Sequence, residues 1–237
     1  EDSQQALLAL AKLLQSHGGD ARDTCANMVT AMLSEKDSAI CDWAAYCELL
    51  LNSDEEDEEV QVLLLQLMGA AAEHLNASVD ADEGEGADGT TPRKPPRQRK
   101  AGKKEAAAQD ESSLQLSAQL GKCLPQLLSK FQAHHEPLVA VLRLLRQLQF
   151  SAAQATLKGQ RFDQLLQRLE AVCKQHTDAE PLQACSEAWR ALLHQKDADA
   201  MVNKVQVGYK RLCDNLLAAV RPLQQQTRAK GRDQQAN

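Results

Sequence analysis

The sequence predicts an all-α chain, a series of antiparallel amphipathic helix pairs interrupted by a long charged, disordered linker, and three observations carry that prediction. Leu and Ala supply most of the apolar content, with one isoleucine in 237 residues and 3% aromatics, which favours helix over sheet. Apolar residues recur at spacings of three and four through most segments. One span, residues 77–111, replaces that pattern with Gly, Pro and charge.

The first helix is expected from Ser3 to Ser16, with Leu7, Leu10, Ala11 and Leu14 on one face and Gly18-Gly19 as the stop. A second runs from Asp20 to about Ser34. Ser38 is the expected N-cap of a third carrying Trp43, Tyr46, Leu50 and Leu51. Ser53, followed by an acidic first turn, caps a fourth that buries Val60, Leu63, Leu64, Leu67 and Ala71. Together these make a helical block over residues 1–76.

Helical signal resumes at Leu116, Leu120, Leu124, Leu127 and Leu128, where Pro125 should kink the helix or mark a boundary between two short ones, with a break expected near Leu124. Pro137 stands where a first-turn proline belongs and opens a helix striped by Leu138, Val141, Leu142, Leu145 and Leu148. A short piece begins at Ser151. Phe162, Leu165, Leu166, Leu169, Val172 and Cys173 then repeat the spacing. Asp178 and Pro181 start another helix, with Leu182, Cys185, Trp189, Leu192 and Leu193 inward, and a last helix runs from about Ala198 to Leu223. This second block spans 112–225, and 226–237 reads as a flexible tail.

Consecutive helices of this length on short turns form either a closed bundle or an α-solenoid. A HEAT-like solenoid fits because such repeats, of roughly 40–47 residues, keep helix length and apolar spacing while the sequence drifts. The chain opens at Glu1 and enters a helical pattern at once, which predicts a segment of a longer protein. Seven cysteines, without a C-x-x-C pair, read as reduced thiols of a cytosolic or nuclear protein. No apolar run approaches the ~20 residues of a membrane span.

A net charge of -6 argues against a nucleic-acid partner only if the charge is evenly spread, and it is not. Arg93, Lys94, Arg97, Arg99, Lys100, Lys103 and Lys104 follow one another without an acidic residue. Flexible cations of this kind pair with phosphates and release counterions, and seven of them on duplex DNA would give a salt slope of about -6 at most. No aromatic residue is interleaved to stack on bases, so duplex backbone is favoured over single strands or sequence-specific RNA. The run Pro92–Arg97 lacks the glycine between arginines that would let it sink into a minor groove. A basic cluster in a linker reads equally well as a nuclear import signal. Thr91-Pro92-Arg93-Lys94 fits a proline-directed kinase site, where phosphate would offset part of the local charge.

The acidic cluster from Asp54 to Glu59 complements a helix N-terminus, and that from Asp80 to Asp88 reads as a solvated spacer. The adjacent His134 and His135 point about 100° apart on a helix, which disfavours a shared metal ion. No spacing suggests a catalytic triad, a phosphate loop or paired carboxylates, so neither an enzyme, a cofactor nor a small-molecule substrate is expected. Val202, Val205, Tyr209, Leu212, Leu216, Ala219 and Leu223 have the spacing of a short coiled-coil seam, which would equally serve to dock the last helix on the preceding pair.

The order of these features resembles the SA/stromalin (STAG) family of cohesin subunits. Asp42-Trp43 followed by Leu49-Leu50-Leu51 resembles that family's D-W helix ending in a leucine triplet, and Leu124-Pro125-Gln126-Leu127-Leu128-Ser129-Lys130-Phe131 is similar to its L-P-Q-L-L-x-K-F segment. Pro137 to Leu145, Phe162 to Leu169 and Lys174-Gln175-His176 follow the same helix order, so the resemblance covers roughly Ser38 to Leu193. The linker departs from the family's glycine-arginine-lysine stretch by adding acid, glycine and proline, so individual DNA contacts do not carry over. The resemblance implies a hook-shaped HEAT-repeat subunit, nuclear and chromosomal, that binds the kleisin subunit and the SMC heads of cohesin, contacts duplex DNA and chromatin, and supports sister-chromatid cohesion. The contrasting reading is a general helical-repeat nuclear adaptor or transport scaffold whose basic run is only an import signal.

Overall fold

The computed structural model describes residues 2–17, 21–34, 39–52, 58–83, 96–154, 156–195 and 199–235. Among them there is no strand, and ten α-helices follow one another: α1 (Asp2–His17), α2 (Ala21–Ser34), α3 (Trp43–Asn52), α4 (Glu58–Glu83), α5 (Pro96–Lys130), α6 (His135–Leu145), α7 (Phe150–Ala153), α8 (Gln160–Gln175), α9 (Ala179–Leu193) and α10 (Asp199–Gln235).

The helices form two rows. α2, α4, α6 and α9 pack in succession along one, while α1, α3, α5 and α8 succeed one another along the other. Cross-row contacts of α1 with α4, α4 with α5, α5 with α6 and α8 with α9 close the pairs, and α10 lies against both α8 and α9. This neighbour-to-neighbour stacking is the HEAT-like solenoid expected from the apolar spacing. One apolar core runs through it without a gap, from Leu7 and Leu14 through Leu67, Leu127 and Leu142 to Leu169, Trp189 and Leu212.

Amphipathicity decides where each helix sits. α6 is apolar nearly all round, burying every residue from Pro137 to Leu145 except Arg143, because α4, α5 and α9 cover its different sides. α8 is half polar and buries Phe162, Leu165, Leu166, Leu169 and Val172, the predicted stripe, with Cys173 half-buried. In α9 the inward positions are Pro181, Ala184, Cys185, Ala188, Trp189 and Leu192, so the expected Leu182 and Leu193 stand only half-buried. Gly159, before α8, takes the positive φ of 57° that favours glycine.

Three boundaries differ from expectation. α5 continues unbroken through Pro125. Proline removes one backbone donor and presses on the carbonyl four residues back; here that residue is Gly121, which has no side chain to resist the adjustment. Gly121 also lets the turn after α7 approach, since a Cβ there would collide with Thr156 Oγ1 and lie 3.1 Å from Leu157 Cγ. Helix covers both flanks of the span read as linker, to Glu83 and from Pro96, while residues 84–95 lie outside the described residues. Ala77, Ala81 and Ala106–Ala108 are strong helix formers, and Pro96 suits a first turn. α10 likewise continues through Pro222 to Gln235, over most of the residues read as tail. Ser38 and Ser53, the expected caps of α3 and α4, lie outside the described residues. Asp42 caps α3 instead, its Oδ1 accepting from the Ala45 N–H at 3.1 Å.

Candidate functional site

The residues that resemble a known family are those that join neighbouring helices. Trp43, directly after the Asp42 cap, is buried and stacks on Tyr46 with ring centroids 6.2 Å apart. At the other end of α3 the Lys130 ammonium donates to the Leu50 carbonyl at 2.8 Å and the Leu51 carbonyl at 3.4 Å. A cation on the last carbonyls of a helix satisfies orphan acceptors and complements the dipole. Lys130 therefore clamps the leucine triplet of α3 to the end of α5, while Leu124, Leu127, Leu128 and Phe131 of the same octet fill the core. His134 continues the joint, edge-on to Phe131 and with Nδ1 3.6 Å from Glu58. Farther on, His176 Nε2 lies 2.9 Å from the Gln132 carbonyl, so the Lys174-Gln175-His176 ending ties α8 to the turn after α5.

The basic run falls at the start of α5. Arg93 and Lys94, like Thr91, lie outside the described residues; Arg97, Arg99, Lys100, Lys103 and Lys104 occupy its first turns. At 100° per residue, positions 97, 100 and 104 share one stripe and 99 and 103 the adjoining one, an arc of about 160°. Gln98, Ala101 and Gly102 fill the rest of the wheel. The helix also shortens the run: positions 97 to 104 span about 10 Å, against about 25 Å if extended. Helix replaces the extended conformation expected of the described part of the run.

The second block holds a charged cluster that sequence reading passed over. Glu170 is 7% exposed, in the middle of the apolar stripe of α8. Lys174 donates to its Oε1 at 2.8 Å, Arg211 of α10 reaches its Oε2 with Nη2 at 2.5 Å and Nε at 3.1 Å, and Asn215 adds a bond at 3.4 Å. Burial pushes this carboxyl up, but the hydrogen bonds and charges of Lys174 and Arg211 outweigh it and hold the group below the ordinary range. The i to i+4 pairing with Lys174 was the available signal; the partner on α10 was not visible in sequence.

A lowered folded-state pKa means that the ionised carboxylate supports the fold. Its contribution is complete above the ordinary glutamate range and is lost as pH falls through the lowered value. Glu170→Gln is expected to cost about 1–2 kcal/mol at neutral pH, discounted because both cations are half exposed, and the gap from wild type should close on acidification. Urea midpoints of the two proteins at neutral and acid pH check this. A gap that stays constant would show that the charge does not hold α10.

α10 docks through Met201, Val205, Gly208 and Leu212, with Gly208 against Trp189. The seam predicted from spacing holds at Val205 and Leu212, but Tyr209 is 40% and Leu216 42% exposed. His134 and His135 gather no ligand set, and among the described residues no group of three or more His, Cys, Asp or Glu stands where it could hold a metal ion. Among the described residues no helix is long and apolar enough to cross a membrane.

Comparison with known proteins matches the same stretch of helices. The chain is 28% identical over 187 residues to cohesin subunit SA-3 of Rattus norvegicus, an alignment covering 76% of this chain and 14% of that protein. The chain thus spans about a seventh of that relative's length. Residues 27–237 match the family described as the HEAT-repeats domain of cohesin subunit SCC3/SA. That match takes in most of the chain and nearly all of its stacked helices, and the chain belongs to this family.

Proposed function

We propose that this chain is the part of a cohesin subunit that binds duplex DNA through Arg93, Lys94, Arg97, Arg99, Lys100, Lys103 and Lys104, and that it works on chromosomes in the nucleus beside the kleisin subunit and the SMC heads in sister-chromatid cohesion and chromosome segregation. The observation that carries the reading is the placement of the basic positions. Five of them fall on a helical arc at the start of α5, the helix whose other end is clamped into the solenoid by Lys130. Cations spaced along a helix offer charge to a phosphate rail without needing sequence readout. Phosphorylation of Thr91, beside Arg93, would weaken that attraction.

The test is a variant carrying Arg97, Arg99, Lys100, Lys103 and Lys104 as Glu, with duplex binding measured at two salt concentrations. Binding should weaken, and the dependence of log K on log salt should become shallower by up to about 4, short of the full 0.9 per cation because the helix compresses the run. Co-purification with a kleisin fragment should be unchanged. Unaltered duplex binding would remove these residues from the DNA interface. If purified wild-type protein ignored DNA and the variant lost only nuclear accumulation, the run would be an import signal.

A further inference from the structure

Two pairs of thiols meet inside the solenoid, and their surroundings differ. Cys47 of α3 and Cys123 of α5 bring their sulfurs to 2.7 Å, both shut away in the core. Cys173, in the last turn of α8, and Cys185, in α9, bring theirs to 2.9 Å, but here Cys173 is half-buried while Cys185 is sealed. Only the second pair therefore combines an approachable sulfur with a waiting partner.

We propose that Cys173 and Cys185 are a reversible oxidation site, at which hydrogen peroxide converts the two thiols into a disulfide that staples α8 to α9. The Cys173 thiolate attacks a peroxide oxygen, an S–O bond forms, the O–O bond breaks, and hydroxide leaves to be protonated as water. The Cys185 sulfur then attacks the sulfenic sulfur, the S–S bond forms, the S–O bond breaks, and the departing hydroxide takes the Cys185 proton as a second water. Two thiols lose two electrons and one peroxide gains them. The sulfurs need to close by only about 1 Å to reach bonding distance.

The local chemistry favours this order of events. The hydrogen bond from Cys185 holds Cys173 below the ordinary thiol range against the opposing effect of burial, and Trp189 adds to the lowering while Glu170 opposes it. The same contact with Cys173, together with burial, pushes Cys185 up, so Cys185 keeps its proton until it is needed. The Trp189 indole N–H is buried without a hydrogen-bond partner at ordinary geometry, which leaves it available to negative charge on sulfur. By contrast Cys123 is pushed well up by its hydrogen bond with Cys47 and by burial, which disfavours the thiolate there.

The site lies under the seat of α10. Glu170, one turn before Cys173, holds Arg211, and Trp189, one turn after Cys185, packs on Gly208 and Tyr209. A bond between α8 and α9 would fix the two sides of that seat relative to each other.

The experiment treats the whole chain with a few equivalents of hydrogen peroxide at neutral pH, blocks remaining thiols with an alkylating reagent and maps the peptides. The expected product lacks the mass of two hydrogens, links Cys173 to Cys185, leaves Cys47 and Cys123 alkylated, and reverts with a dithiol. Its α10 amides should exchange more slowly than those of the reduced protein. Cys185→Ser should stop at a Cys173 sulfenic acid trapped by a cyclic dione, with circular dichroism confirming the fold; the wild-type map decides the matter independently of that variant. A first link between Cys47 and Cys123, a link from Cys173 to Cys213, or all seven cysteines still alkylated would each overturn the proposal.

Discussion

Trp189→Ala is expected to lower the unfolding free energy by about 3–5 kcal/mol, seen as a fall in the urea midpoint with little change in slope. Trp189 is 1% exposed at the junction of α8, α9 and α10, and its ring faces Gly208, where an added Cβ would already lie 3.3 Å away. Tyr209 leans on it at 5.9 Å between centroids. Its indole N–H makes no hydrogen bond of ordinary geometry, so most of the loss is one of packing and apolar burial. Trp189→Phe should therefore cost less than about 1.5 kcal/mol, because the smaller ring keeps much of the contact. If both variants lost the same amount, indole packing would not be what secures α10.

Asn76→Leu should cost about 2–4 kcal/mol in the same assay, through a different route. Asn76, on α4, is the centre of a polar knot in an otherwise apolar seam. Its Nδ2 donates to the Gln147 carbonyl at 3.3 Å and to Gln147 Oε1 at 2.9 Å, while its Oδ1 accepts from Ser113 at 2.8 Å and Gln149 at 3.2 Å. Ser113 is 2% exposed, so leucine would strand polar groups that water cannot reach. The knot fixes α4, α5 and the turn after α6 in register, since Ser117 also accepts from the Gln149 N–H at 3.1 Å. Combining Asn76→Leu with Gln149→Leu should cost less than the sum of the two, because the second change removes a donor the first left unpaired. Strict additivity would dissolve the knot into independent bonds.

Much of this was written plainly in the order of residues. Apolar stripes such as Leu138, Val141, Leu142 and Leu145, or Phe162, Leu165, Leu166 and Leu169, locate helices because a helix in a solenoid buries one face and the period survives sequence drift. What stayed hidden depended on residues far apart in the chain. Pro125 promised a break, yet its effect turns on Gly121 and on what packs around it. The spacing in α10 pointed to Tyr209, which leans on the Trp189 ring yet stays 40% exposed, while the backbone comes closest one residue earlier, at Gly208. Glu170 sits in an apolar stripe, and only the fold supplies Arg211 to make that position tenable. The candidate DNA site was legible as charge alone, because Pro and Gly around the cations obscure the helix propensity that carries α5 back to Pro96.

The two-row arrangement has a consequence for how the chain comes apart. Among the described residues a helix packs mainly on its near companions, and no extensive contact joins α1 or α2 to α9 or α10. Damage at one extremity is passed on only by relay, each link diluting it, and an array of this sort can melt from an end inward while its middle still stands. α4, which meets α1, α2, α3, α5 and α6, stands in that middle, and its amides should be among the last to trade hydrogen for deuterium.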